Sequence, residues 1–304
     1  MTLLGTPVLP AVEFGQVPLW RQIMRGFSQC AFQANELTGL VFILAVAVYD
    51  LRFAAFYVIG VVVGTIVAKL LRGIGDLLDL GLYGFNSGLV GLGIATFFVP
   101  SGALWIVVPI MAAVVAAVAV LFSKVLPVPF LAAPFIVSLW ILYAIGPTIG
   151  LDHAPFAPFT DTEVLWVSSA LTAAGGALFS NFWLSGVIFL VGIAISNSRH
   201  ALIAFAAVFI AHWIAFQGQV DPGPINAGLI GFNAILCAIA VYSLLGEDLR
   251  LTLLGAIGST MLIRVFNEIG LLPLAAGFVL MFWIIVALDK LGQRFREAPA
   301  PAEA

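Results

Sequence analysis

Three segments of this chain carry side chains whose types and spacing suit the handling of a small solute. In MRGFSQCAFQANELTGL (24–40), Gln29, Phe32, Gln33 and Glu36 stand at i, i+3, i+4 and i+7, one face of a single helix. Amides and a carboxylate beside an aromatic ring either line a wetted path or hydrogen-bond to a neighbouring helix. The second segment is written twice. Residues 81–92 read GLYGFNSGLVGL and residues 228–239 read GLIGFNAILCAI, 147 positions apart. Both copies keep a Phe and a Leu four residues apart, Phe85/Leu89 and Phe232/Leu236. Two such pairs would wall a narrow apolar slot, or else simply pack. Asn86 and Asn233 are suited to satisfy backbone groups where a helix is interrupted. The third segment is LPVPFLAAPFIVSLW (126–140), echoed by GLLPLAAGFVLMFW (270–283). Pro129 and Pro134 free backbone carbonyls, which must find partners or face water. Interruptions in both halves of a duplicated membrane protein point to a solute site, although a plain helix kink would read the same way.

No catalytic set accompanies them. H-E-x-x-H, G-x-S-x-G and the P-loop are absent and the carboxylates are scattered, so no enzyme, cofactor or metal centre is expected. His153, His200 and His212 are expected in loops, at a membrane boundary, or bonded to a neighbour. Glu36 is the best candidate for a deeply placed charge, and Glu268 is expected to cap a helix or pair with Arg264. Cys30 and Cys237 read as buried free thiols.

The elements that must position these groups follow from composition. Apolar residues make up 62% and charged residues 9% of 304 positions. A chain so poor in charge cannot cover its surface in water, so the bilayer is its solvent. No Asp, Glu, Lys or Arg occurs in 80–123, 164–198 or 270–288. A net charge of −3 argues against nucleic acid. We expect an N-terminal loop or interfacial segment (1–20), a first half (21–148), a connecting loop (149–164), a second half (165–288) and a disordered tail (289–304). Roughly five spans per half, an odd number, would insert the halves in opposite orientations. The expected fold is therefore an all-α membrane protein of about ten transmembrane helices plus two tilted half-helices in two inverted repeats. Basic residues at Arg21/Arg25 and Lys290/Arg294/Arg296 suggest that both termini are cytoplasmic.

In order and spacing, these segments resemble the urea transporter family. The resemblance is carried by Ser28, Gln29, Phe32, Asn35, Thr38 and Gly39, by Gly81–Gly91, and by Leu126–Phe135. In the second half it is carried by NFWLSG (181–186), GLIGFNxxL (228–236) and NEIGLLP (267–273), and it covers about residues 21–288. It implies a channel-type facilitator, usually trimeric, in which a flat solute passes between paired phenylalanines while its amides bond to an oxygen ladder and to one Gln or Glu per half. Carried over residue by residue, Gln29 matches the first amide, Phe32 and Phe179 the adjacent aromatics, and Phe85/Leu89 and Phe232/Leu236 the slot walls.

The chain also departs from the family pattern. The offset of 147 pairs Gln29 with Gly176, which has no side chain. The family's Pro-x-x-Thr-x-Pro-Phe reads Pro129 to Phe135 with Ala132 in place of Thr. The second copy, read from Pro273, has Ala275 and is one residue short. Backbone carbonyls around Pro129 and Pro134 are expected to replace the lost hydroxyls. The expected function is passive conduction of urea or a similar small neutral solute, through one pore per subunit, by a homotrimer embedded in lipid in a bacterial inner membrane. The alternatives are ion-coupled transport, a channel for ammonia or a short amide, and a membrane partner that transports nothing.

Overall fold

The computed structural model describes Thr2–Leu3, Thr6–Pro7 and residues 12–156 and 158–297. β1 (Thr2–Leu3) and β2 (Thr6–Pro7) pair antiparallel. Among the described residues, the other elements are helices.

The helices come in two runs of seven with the same order. The first run is α1 (Leu19–Ser28), α2 (Glu36–Ala47), α3 (Leu51–Leu70), α4 (Gly75–Asp79), α5 (Gly84–Phe97), α6 (Leu104–Val125) and α7 (Ala133–Ile145). The second is α8 (Trp166–Gly176), α9 (Trp183–Ser196), α10 (Ser198–Gln217), α11 (Pro222–Asn226), α12 (Phe232–Leu244), α13 (Leu249–Glu268) and α14 (Ala276–Glu297). The first four helices of each run start 147 residues apart, as 19/166, 36/183, 51/198 and 75/222. The starts of α7 and α14 differ by 143. The shortening falls in α13, which has 20 residues against 22 in α6, and in the turn before it.

Matched local chemistry explains the matched elements. Asp50 caps α3 by accepting from the amides of Arg52 (2.7 Å) and Phe53 (3.2 Å). Asn197, 147 positions later, caps α10 through Arg199 (3.0 Å) and His200 (3.3 Å). Gly39 and Gly186 let α2 and α9 cross against the preceding helices. A Cβ at either position would run into the carbonyl oxygen of Met24 or of Leu171. The rings of Phe42 on α2 and Phe189 on α9, themselves 147 apart, stack at 4.7 Å. One apolar core runs through both sets of helices around that contact.

The protein is an integral membrane protein. Among the described residues, α3, α6, α10 and α13 are each long and apolar enough to cross a bilayer. The pair formed by Leu19–Ala31 and Glu36–Ala47, bent by 66°, counts as a fifth if read as one broken span. The apolar helices at 84–97, 183–196 and 232–244 are only 13–14 residues long, about 20 Å at 1.5 Å per residue, short of a full crossing.

Two expectations are corrected. Residues 289–297 are not a disordered tail: α14 continues through them to Glu297, while 298–304 lie outside the described residues. Segment 24–40 is not one helix. α1 ends at Ser28, Gln29–Ala31 form a 3₁₀ turn, and Phe32 adopts a left-handed conformation (φ 59°). The stripe Gln29–Phe32–Gln33–Glu36 is thereby split, because the chain turns sharply between its members.

Candidate functional site

Four chain breaks, two per run, bring the two runs into contact. At the first pair a phenylalanine takes the left-handed position that glycine normally fills: Phe32 (φ 59°) and Phe179 (φ 55°). Each break is closed by the same hydrogen bonds. The Phe32 amide donates to Gln29 O (3.0 Å) and the Gln33 amide to Ser28 O (3.3 Å). The Phe179 amide donates to Gly176 O and the Ser180 amide to Gly175 O, both at 3.0 Å. A bulky residue with positive φ is strained and persists only when its surroundings fix it.

At the second pair, Leu131 (φ 48°) and Leu274 (φ 44°) precede α7 and α14. Asn86 and Asn233 clasp these breaks. Asn86 Nδ2 donates to Leu131 O (2.9 Å) and the Phe135 amide donates to Asn86 Oδ1 (3.1 Å). Asn233 Nδ2 donates to Leu274 O (2.8 Å) and the Phe278 amide donates to Asn233 Oδ1 (2.9 Å). Each amide thereby satisfies one donor and one acceptor where the helix ladder is missing.

The two runs close each other. Trp140 Nε1 donates to Leu272 O at 2.9 Å, and Trp283 Nε1 donates to Pro129 O at 2.8 Å. Phe32 meets Phe278 edge-on at 5.9 Å, and Phe179 meets Phe135 edge-on at 5.9 Å. Each contact pairs a residue of one run with the other run's counterpart of its partner.

These bonds revise the reading of the proline segments. Pro129 O, Phe130 O, Leu131 O and Ala132 O each already accept a hydrogen bond, from Trp283, Ala133, Asn86 and Ile136 respectively. The prolines therefore do not leave them unpaired. Pro134 sits in the first turn of α7, where no amide proton is needed. The second copy lacks no residue: the tryptophan bonds match Leu272, not Pro273, with Pro129. Ala275 then falls opposite Ala132, and both positions lack a hydroxyl.

A cavity of about 1160 Å³ opens beside these breaks. Its walls include Thr96, Phe97, Gly176, Phe179, Asn181, Phe232 and the stretch 272–274, with the exposed pair Arg264–Glu268 (3.3 Å) also on its lining. Phe179 and Phe232 thus belong to it. Gln29, Phe32, Phe85, Leu89, Leu236, Pro129 and Pro134 are not among its lining residues. Phe85, Leu89 and Leu236 lie in the buried core. Gln29 is buried and its Nε2 donates to Leu80 O at 2.8 Å.

Residues 20–290 match the family described as Urea transporter. The chain belongs to this family. It is 27% identical over 238 residues to Urea transporter 1 of Rattus norvegicus and 27% identical over 244 residues to Urea transporter 1 of Capra hircus. Each comparison covers 72% of this chain and 62% of the relative, so the chain spans less than two thirds of those relatives' length. The family is one of transporters, not of enzymes.

The family resemblance in the sequence did not bring out four features. Glu36 is buried and bound by Arg21 Nε (2.7 Å) and Arg25 Nε (2.9 Å), so the two arginines do not form an exposed basic patch. Asp79, also buried, accepts from Gln22 Nε2 (2.7 Å) and from the Gly15 amide (2.5 Å). His200 Nδ1 lies 2.9 Å from Gln33 Nε2, and His212 lies 2.9 Å from Ile230 O. Asn181 Nδ2 donates to Ala227 O at 2.7 Å. Asn181 stands in the NFWLSG segment beside the helix start, but it is five residues beyond the position that matches Gln29. A strict offset of 147 passes over it.

Proposed function

We propose that this protein conducts urea passively, as a channel, through one pore per subunit between two inverted halves. The observation that carries the reading is the reciprocal closure: Phe32–Phe278 against Phe135–Phe179, and Trp140–Leu272 against Trp283–Pro129. Contacts exchanged in this way are what a twofold relation between halves 21–148 and 165–288 produces. Such a relation within the membrane plane puts the solute path near the midplane. Urea as solute follows from the family. The relatives named Urea transporter 1 support it, as do the aromatic side chains of Phe179 and Phe232 on the cavity wall.

In this reading the ten spans include the short helices, each completed across the bilayer by the half-helix beside it. Gln29 supplies a solute contact, and Phe85/Leu89 and Phe232/Leu236 flank the path. The chain works as a homotrimer in a bacterial inner membrane with both termini cytoplasmic. Ion coupling is disfavoured because the two buried carboxylates among the described residues, Glu36 and Asp79, are each occupied by protein donors. Ala132 and Ala275 favour a second reading, in which the preferred solute is smaller or less polar than urea, such as ammonia or formamide. Without hydroxyls at these two positions urea's amides lose partners there, at about 1–3 kcal/mol per unsatisfied group.

Stopped-flow light scattering of proteoliposomes facing a urea gradient, with empty liposomes as control, tests this. The expected result is fast, non-saturating urea entry that an ionophore does not alter. Entry that saturates and collapses with the ionophore would replace the channel with a coupled carrier. Formamide or ammonia outpacing urea would establish the second reading.

A further inference from the structure

The second run has lost the side chain that corresponds to Gln29, yet the amide contact survives. Gln29 Nε2 donates to Leu80 O at 2.8 Å. Leu80 lies 147 residues before Ala227, and Ala227 O accepts from Asn181 Nδ2 at 2.7 Å. The same carbonyl is therefore capped by a side-chain amide in both runs. In the first run the amide arrives from before the left-handed phenylalanine. In the second it arrives from two residues after Phe179. Gly176 makes room for it, because a Cβ there would stand 3.3 Å from Asn181 Nδ2 and 3.1 Å from Gly228 O.

The tether fixes which end of the amide is free. With Nδ2 given to Ala227 O, Asn181 Oδ1 is left without a hydrogen-bond partner among the described residues. Asn181 lines the large cavity together with Phe179 and Phe232. An oxygen held in place on a wall shared with two aromatic residues accepts from a planar N–H donor without first having to be ordered. We infer that Asn181 is the amide of the second-half solute site, replacing the side chain absent at Gly176 and selecting solutes that present N–H groups. This rests on the channel reading above.

The test compares proteoliposomes carrying wild type, Asn181→Ala, and the double variant Gly176→Gln/Asn181→Ala, each checked by size exclusion and thermal denaturation. The readout is the ratio of urea to water permeability after subtraction of empty liposomes, which a merely structural loss would lower in both terms alike. Asn181→Ala should reduce the ratio about tenfold, the discrimination of roughly one hydrogen bond. The double variant, with an amide returned from the other side of the break, should recover most of it. An unchanged ratio in Asn181→Ala overturns the inference. If Asn181→Ala does not fold, the double variant decides: a ratio near wild type supports the inference, and a ratio about tenfold lower overturns it. Wild type passing neither urea nor any short amide removes the channel reading and this inference together. Wild type that conducts, with Asn181→Ala conducting equally, removes only the inference.

Discussion

The two runs of helices share a backbone plan but hold their starts differently. In the first, α1, α2 and α4 meet over a buried cluster in which Arg21 and Arg25 grip Glu36, Arg25 also donates to Asp79 O (2.7 Å), and Gln22 reaches the Asp79 carboxylate. At the matching positions of the second run stand Ser168, Thr172, Trp183 and Asn226, with no charge among them. Asn226 performs the neutral version of the task. It accepts from the Leu165 amide (2.9 Å) and donates to Glu163 O (2.8 Å), tying the chain before α8 much as Asp79 ties Gly15 before α1. The second run also supplies most of the wall of the large cavity. The lesson is that the hydrogen-bonding position is retained while the group that fills it changes: ion pair for neutral amide at the start of the run, and Gln29 for Asn181 at the break.

The sharpest way to break this contrast is at its charged end. Glu36→Ala leaves two buried arginines without their shared carboxylate and should cost about 3–5 kcal/mol. Trp183→Ala, at the matching and largely exposed position, should cost about 0.5 kcal/mol. Thermal denaturation in detergent compares the two, and equal losses would mean that the cluster does not hold the start of the first run. Where the runs are alike, their variants should agree. Asn86→Ala and Asn233→Ala each strand a buried carbonyl and a buried amide, and both should lose about 2–3 kcal/mol in chemical denaturation. A loss in only one would show that the matched geometry hides unequal roles.

Gln29→Ala should lower urea permeability about tenfold with little change in water permeability, the first-run counterpart of the Asn181 experiment. Unchanged urea flux would remove Gln29 from the path. Trp140→Phe and Trp283→Phe each delete one bond between the runs. Melting shifts equivalent to about 1 kcal/mol are expected, the smaller for Trp283, whose hydrogen bond is the more exposed. At the bottom of the scale, Arg264→Ala breaks an exposed i, i+4 pair and should change stability by about 0.2–0.5 kcal/mol. A larger effect would mean that this part of the cavity lining is structural.

Residue types alone determined much of this protein. A composition of 62% apolar and 9% charged residues requires a lipid-embedded helical chain. The repeated GFN segments, 147 apart, carry the register that the first four pairs of helix starts follow, because local caps such as Asp50 and Asn197 travel with the sequence that encodes them. Pairing at i, i+4 likewise placed Glu268 against Arg264.

Only the tertiary structure decided what lies between elements. The stripe from Gln29 to Glu36 obeyed helical spacing and still broke, because the left-handed turn at Phe32 is fixed by packing against the other run, where Phe278 meets its ring. The carbonyls near Pro129 and Pro134 looked free until donors more than 40 residues away, Asn86 and Trp283, were in place. The change of offset from 147 to 143 puts Leu272, not the more conspicuous Pro273, opposite Pro129. Asn181 reaches the carbonyl matched to Leu80 from outside the expected register. A hydrogen bond requires that a donor and an acceptor meet, not that the donor keep its place in the chain. Sequence periodicity fixes where a helix starts and which face it shows, whereas the partner of a buried polar group is set by which distant backbone the fold brings within 3 Å.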